Sequence, residues 1–562
     1  MKFNDFPYKR QNVEEVTKKL ENLTNSFLSA TNANKQVDII NEVFKVNDEY
    51  SSFVVIASIR NSINTKDEFY DKEMKYYDEK GPVLANYMNN FYKLILNSNF
   101  KEQLKNEFGS HFFNQIEVTL KTFDEKIITL LIAENKIARK YSNLIAAAEI
   151  TFDGKIYNLS QMTPFTKSIE RETRHKAQLA VSEFFKSKEE EIDEIFDSLV
   201  KIRNEIALVL GYENYIELGY YRMGRTDYNA KDVYNYREQI KREVVPAVSK
   251  LNKRKSIRLG IPKLKSYDTI SFLSGDPTPK GDKDHLLKQA EKMYQEMSPE
   301  TDEFFKFMIK HELFDLESKA GKRGGGYCTF IPNHNAPFIF ANFNGTSGDV
   351  DVLTHEAGHA FQVFSSKDNI PPQRWPGMES AEIHSMSMEF FAWPWMELFF
   401  KEDTEKYYFT HLASAISFLP YGALVDEYQH EIYQNPDLTP KARKQIWRKL
   451  EKIYMPEKDY GDDDMLEKGT YWYRQGHIFS SPFYYIDYTL AQVLAFQYWH
   501  LSRVNKKEAW ESYYRLCKLG GSKGFLGLIE EANLKSPFKD GTIKKALKPL
   551  MEYLDSIDDS KF

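Results

Sequence analysis

The segment Asp349–Lys367, D-V-D-V-L-T-H-E-A-G-H-A-F-Q-V-F-S-S-K, reads as one helix. Val350, Val352, Leu353, Ala357, Ala360, Phe361 and Phe364 surround its polar residues at helical spacing. On a helix, His355 and His359 project from the same face, one turn apart, so both imidazoles can reach a single metal ion. Glu356 is displaced around the helix from the two histidines yet lies beside them. That position suits a base that takes a proton from metal-bound water without occupying the metal. The bland alternative is a buried helix with two satisfied core histidines. Two imidazoles and a carboxylate in an apolar helix are costly unless something pairs them, which weighs against it.

A catalytic zinc takes three protein ligands and keeps a fourth position for water. The next helical stretch follows Pro371-Pro372 and Gly377 and runs Met378–Phe391. Glu379, Glu382 and Glu389 share roughly one face of it, and spacing alone does not choose among them. A solvated acidic stripe is the alternative, but the flanking Phe and Trp residues argue against it. His384 reads as a packing or supporting residue rather than a ligand.

The whole chain has 562 residues, 42% hydrophobic, 28% charged and 15% aromatic, with a net charge of −6. This is the composition of a globular protein with a sizeable, aromatic-rich core, and it gives no footprint for nucleic acid or an anionic membrane. Cys328 and Cys517 stand far apart, which excludes a disulfide framework and points to a reducing, cytoplasmic setting. The amino terminus lacks the apolar run of a secretion signal, and charges interrupt every apolar run well before membrane length.

Up to about Asn158 the chain reads as long amphipathic helices: Val13–Ala30, Lys35–Asn64, Lys66–Asn97 and Phe113–Ser142. No reactive constellation stands out there. A hairpin is expected at Ile150–Leu159, turned by Asp153-Gly154. Helices are expected again over Arg171–Phe185, Glu189–Leu210, Ala230–Leu259 and Asp284–Phe314, with a loop at Gly275–Asp284. Gly321, Gly324, Gly325 and Gly326 do not have the order of a phosphate-binding loop. Strands are expected next, at Tyr327–Ile331 and Pro337–Phe343. A strand just before the metal helix can offer a backbone edge to an extended peptide, or it can be an ordinary core hairpin.

Hydrolysis of an amide builds negative charge on the former carbonyl oxygen, so the site needs hydrogen-bond donors. The stretch Gly476–Tyr488 is rich in them, ahead of a helix from about Tyr488 to Leu501. Aromatic stripes of this kind are more often core.

Four segments together resemble the M3 (thimet-type) metallopeptidase family and its oligoendopeptidase F group. They are HEAGHAFQ at His355–Gln362, ESAEIHSMSMEFF at Glu379–Phe391, LGYENYIELGYYRMGRTDY at Leu210–Tyr228 and HIFSSPFYYIDYTLAQ at His477–Gln492. The resemblance implies a mainly α fold: two helical halves enclosing a deep substrate channel, with a small β-sheet beside the HExxH helix. It implies an amino-terminal helical domain over 1–165 and a catalytic domain over 166–562. It makes Glu382 the third ligand of one Zn²⁺ per chain, beside His355 and His359, and Glu389 a supporting acid. It also makes the strand edge at Gly325, Gly326 and Tyr327 a substrate-binding element, and His477, Tyr485 and Tyr488 the donors to substrate and oxyanion.

The implied activity is zinc-dependent endopeptidase hydrolysis of short unstructured peptides. Glu356 accepts the proton of the attacking water and carries it to the leaving amine. Either Asp351 or Glu389 orients a ligand imidazole. The expected partners are peptide substrates, with no nucleic acid and no membrane, and the protein is expected as a monomer or homodimer. The alternatives are a peptidyl-dipeptidase of the same family and a peptide-binding protein without chemistry.

Overall fold

A computed structural model describes every residue except Ala320. With 70% of the chain helical and only small sheets, the fold class is mainly α, as expected. The first helices, Val13–Ser29, Ala33–Ile63 and Glu68–Leu96, begin where Asn12, Asn32 and Asp67 accept hydrogen bonds from the first-turn amides. They share one apolar core that runs from Val13 to Ile116 and includes Phe27, Phe44, Phe91 and Phe112. A second, larger core gathers most of the remaining buried residues, among them Leu353, Ala357 and Phe361.

Several expected helices prove to be two. Phe113–Ser142 divides into Ser110–Lys121 and Ile128–Ala146, with a short turn capped by Asp124 between them. Asp284–Phe314 divides into Lys283–Met297 and Pro299–Lys310 at Ser298, whose hydroxyl and Thr301 form a reciprocal capping box. Ala230–Leu259 stays helical but widens to a π-turn over Ile240–Val244. The cause is Pro246, which lacks an N–H and would press against the carbonyl of Arg242 in a regular helix.

The hairpin forms as expected from β1 (Ile150–Phe152) and β2 (Lys155–Tyr157). Asp153 and Gly154 both have positive φ, the geometry a tight two-residue hairpin turn needs. The other sheet holds β3 (Phe314–Glu317), β4 (Tyr327–Ile331) and β5 (Ala336–Phe343) in the order β3-β5-β4. β5 is central and buried along most of its length. It pairs antiparallel with β4 and parallel with β3. β4 is therefore an outer strand with one unpaired side. The expected helix at Gly348–Ser365 follows β5 directly, and Met378–Phe391 packs across it.

Candidate metal centre

The two helices cross at Gly358. A Cβ built there would stand 2.6 Å from both the His384 carbonyl oxygen and Ser385 Cα, and 2.9 Å from Met388 Cβ. Hydrogen is the only side chain that lets the backbones come this close. The result is that Glu382, on the second helix, reaches the histidines of the first. Its Oε2 lies 3.2 Å from His355 Nε2 and 3.4 Å from His359 Nε2. Donor atoms of these three residues lie within 4.8 Å of one another, the one such cluster of His, Cys, Asp and Glu among the described residues. A set of two imidazole nitrogens and one carboxylate oxygen suits zinc.

Polar side chains surround the cluster, some paired and some not. Glu382 Oε2 also accepts from the Ser385 hydroxyl at 2.9 Å, and its Oε1 accepts from the Tyr484 hydroxyl at 2.6 Å. Burial opposes the charged form of Glu382, but His359 and His355 outweigh it and hold the carboxyl well below its ordinary range. His355 Nδ1 meets Glu389 Oε1 at 2.7 Å. Of the two carboxylates expected to orient an imidazole, Glu389 is therefore the one in contact. Asp351 instead accepts from the Tyr407 hydroxyl at 2.6 Å. His359 Nδ1 has no hydrogen-bond partner.

Glu356 is buried beside the cluster and its Oε2 is unpaired, an unusual state for a carboxylate unless a water or substrate proton is meant to meet it. Burial raises its proton affinity above the ordinary carboxylate range. Gly326, just before β4, faces it: a Cβ there would lie 3.5 Å from Glu356 Oε1 and 3.1 Å from Val352. The outer strand thus starts next to the carboxylate. Gly325 has positive φ, and its carbonyl is taken by the Asn342 amide at 2.7 Å. The Tyr327 ring stacks on Phe340.

On the far side, Tyr485–Val504 forms the aromatic helix, three residues longer at its start than expected. The His477 ring centre lies 5.0 Å from that of Tyr485 and 5.8 Å from that of Tyr488. The hydroxyl that touches the cluster belongs to neither expected tyrosine but to Tyr484. His384 lies away from the cluster, with Nδ1 2.8 Å from the Ser380 carbonyl, as expected for a packing residue. Glu379 lines a cavity of about 450 Å³, together with Tyr92, His111, Arg222 and Pro376.

Fold and site together define a helical protein with a His-His-Glu cluster that could hold a metal ion and an adjacent unpaired carboxylate. The profile described as Peptidase family M3 matches residues 165–547, and that of the Peptidase M3 N-terminal domain matches residues 3–123. The chain belongs to peptidase family M3, and its similarities place it with the oligoendopeptidase F group. A solved structure described as PZ peptidase A with an inhibitor is 49% identical, with a TM-score of 0.97 and all of both chains covered. The oligoendopeptidase F homolog of Borreliella burgdorferi is 28% identical over 38% of this chain and 37% of its own length. That of Lactococcus lactis subsp. lactis is 21% identical over 60% of this chain and 59% of its own. The chain thus matches less than two thirds of the length of these curated relatives.

Proposed function

We propose that this protein is a zinc-dependent endopeptidase that hydrolyses short unstructured peptides. The observation that carries the reading is the convergence of His355, His359 and Glu382, with the unpaired Glu356 carboxylate between them and an outer strand. Family membership and the likeness to oligoendopeptidase F homologues support it. His355, His359 and Glu382 would hold the ion, which would lower the pKa of a coordinated water toward about 7 and polarise the scissile carbonyl.

The chain's own groups do the rest. β4 takes the substrate backbone in extended form on its unpaired side. Glu356 accepts the proton of the attacking water and passes it to the leaving amine. His477, Tyr484, Tyr485 and Tyr488 would supply the donors to the carbonyl oxygen as it gains charge. We assign Tyr484 a place beside Tyr485 and Tyr488 because its hydroxyl already reaches Glu382. Gln475 lies 2.8 Å from His477 Nδ1, which leaves Nε2 free to face the substrate.

We take residues 1–165 as an amino-terminal helical domain and 166–562 as the catalytic domain; the separate apolar core from Val13 to Ile116 supports a division, while Ile127 to Met162 pack into the larger core. Two unpaired cysteines support a reducing, cytoplasmic setting. No helix among the described residues is long and apolar enough to cross a membrane.

Mass spectrometry of products from a mixed pool of unstructured peptides tests the reading. Internal cleavage is expected, abolished by a chelator and unaffected by blocking the peptides' carboxy termini. Loss of cleavage on blocking would make the enzyme a peptidyl-dipeptidase. Zinc binding without any products would make it a peptide-binding protein.

A further inference from the structure

Beyond the expected ligands and supporting acid, Glu389 has a second partner. Its Oε2 lies 2.8 Å from His411 Nε2, on the long helix Thr404–Gln434. The other ring nitrogen of His411 receives the Trp393 indole N–H at 3.0 Å. An indole nitrogen can only donate, so His411 Nδ1 is the acceptor and the ring proton resides on Nε2. That proton points at Glu389. Each carboxylate oxygen of Glu389 thereby has one imidazole donor, His411 on one side and His355 on the other.

The imidazole of His411 has little freedom to turn. The Tyr407 ring stacks on it at 5.3 Å with planes 8° apart, and the Tyr407 hydroxyl is itself tied to Asp351. The His411 side chain is 8% exposed and that of Glu389 14%.

We propose that Trp393 and His411 are positioning residues of the metal centre: a hydrogen-bond chain donating from Trp393 to His411 to Glu389 holds the carboxylate that accepts from His355, and so fixes the ring plane and tautomer of His355. The direction follows from a donor-only indole at one end and a carboxylate that accepts from both imidazoles. With Glu389 clamped, His355 keeps its proton on Nδ1 and presents the Nε2 lone pair toward Glu382 and His359. Without His411, Glu389 Oε2 would be a buried oxygen with no partner, free to rotate away from His355. His411 touches neither the metal position nor the substrate.

The inference rests on the metal-site reading, so zinc affinity is the readout, measured by competition with a chromophoric chelator. His411→Phe is expected to bind zinc roughly 10- to 100-fold more weakly than the parent chain, the usual range for loss of an outer partner. His411→Gln restores a donor for Glu389 and an acceptor for Trp393, and is expected to recover most of that loss. Thermal unfolding of the metal-free chains checks that both variants fold. Equal affinity in parent and Phe variant overturns the inference and leaves the metal site standing. Equal loss in the Phe and Gln variants also overturns it, by reducing His411 to packing. A parent chain that binds no zinc removes the metal-site reading and this inference with it.

Discussion

Glu356→Gln will keep its zinc and lose nearly all peptide hydrolysis. Glutamine has the shape of glutamate and the same hydrogen-bond reach, but it cannot take a proton from water. Glu356 is not one of the three clustered ligand residues, so exchanging its oxygen for an amide leaves the ion's grip unchanged. Its Oε2 is buried without a partner, and burial raises its proton affinity. Both features favour a group that picks up a proton during the reaction. General-base catalysis contributes about 10²- to 10⁴-fold, so kcat should fall by at least that lower figure with zinc content still at one per chain. The check is turnover of a quenched fluorescent peptide beside metal analysis of the same sample. Parent-like turnover would remove Glu356 from the mechanism.

Gly358→Ala will damage the site from a position that touches neither metal nor substrate. The new methyl would meet backbone on the neighbouring helix, at 2.6 Å from the His384 oxygen and Ser385 Cα. Backbone of a packed helix cannot rotate aside as a side chain can. The strain is relieved by moving the two helices apart, and Glu382 and Ser385 ride on the one that moves. Overpacking typically costs about 1–3 kcal/mol, and if moving Glu382 relieves it, zinc affinity falls by roughly 5- to 150-fold. Gly81→Ala is the comparison, since a Cβ there meets nothing within 4 Å. Equal zinc affinity in the two variants would show that the helix crossing tolerates the methyl.

Much of this architecture could be read from sequence because it is local and periodic. The metal helix starts one residue earlier and ends two earlier than its apolar spacing predicts, and Met378–Phe391 keeps the expected bounds. Asp153-Gly154 turns the hairpin because only such residues accept two successive positive φ angles cheaply. β3 was not legible. Phe314–Glu317 is four residues long, too short for alternation to stand out, and its parallel partner lies beyond a loop and another strand.

In the site the division is similar. The spacing of His355 and His359 is a property of one helix. By contrast, Tyr484 meets Glu382 across 102 residues, and His411 meets Glu389 across 22 with short helical segments between. Neither pairing leaves a spacing signal. Tyr484 stood beside the expected Tyr485 and Tyr488, but which of three neighbouring tyrosines faces the cluster depends on how the aromatic helix begins. Phe483 takes a positive φ just before it, a turn that its side chain does not announce. Gly358 was in view inside the motif, but the need for it appears only when the second helix lies across it.

Zinc titration of the stripped protein tests the central claim most directly. The protein is freed of metal with a chelator, zinc is returned in steps, and cleavage of an unstructured peptide is followed at each step. The account predicts no cleavage at the start and a linear rise that stops at one zinc per chain. Full cleavage by the stripped protein, or a plateau unrelated to one equivalent, would contradict it.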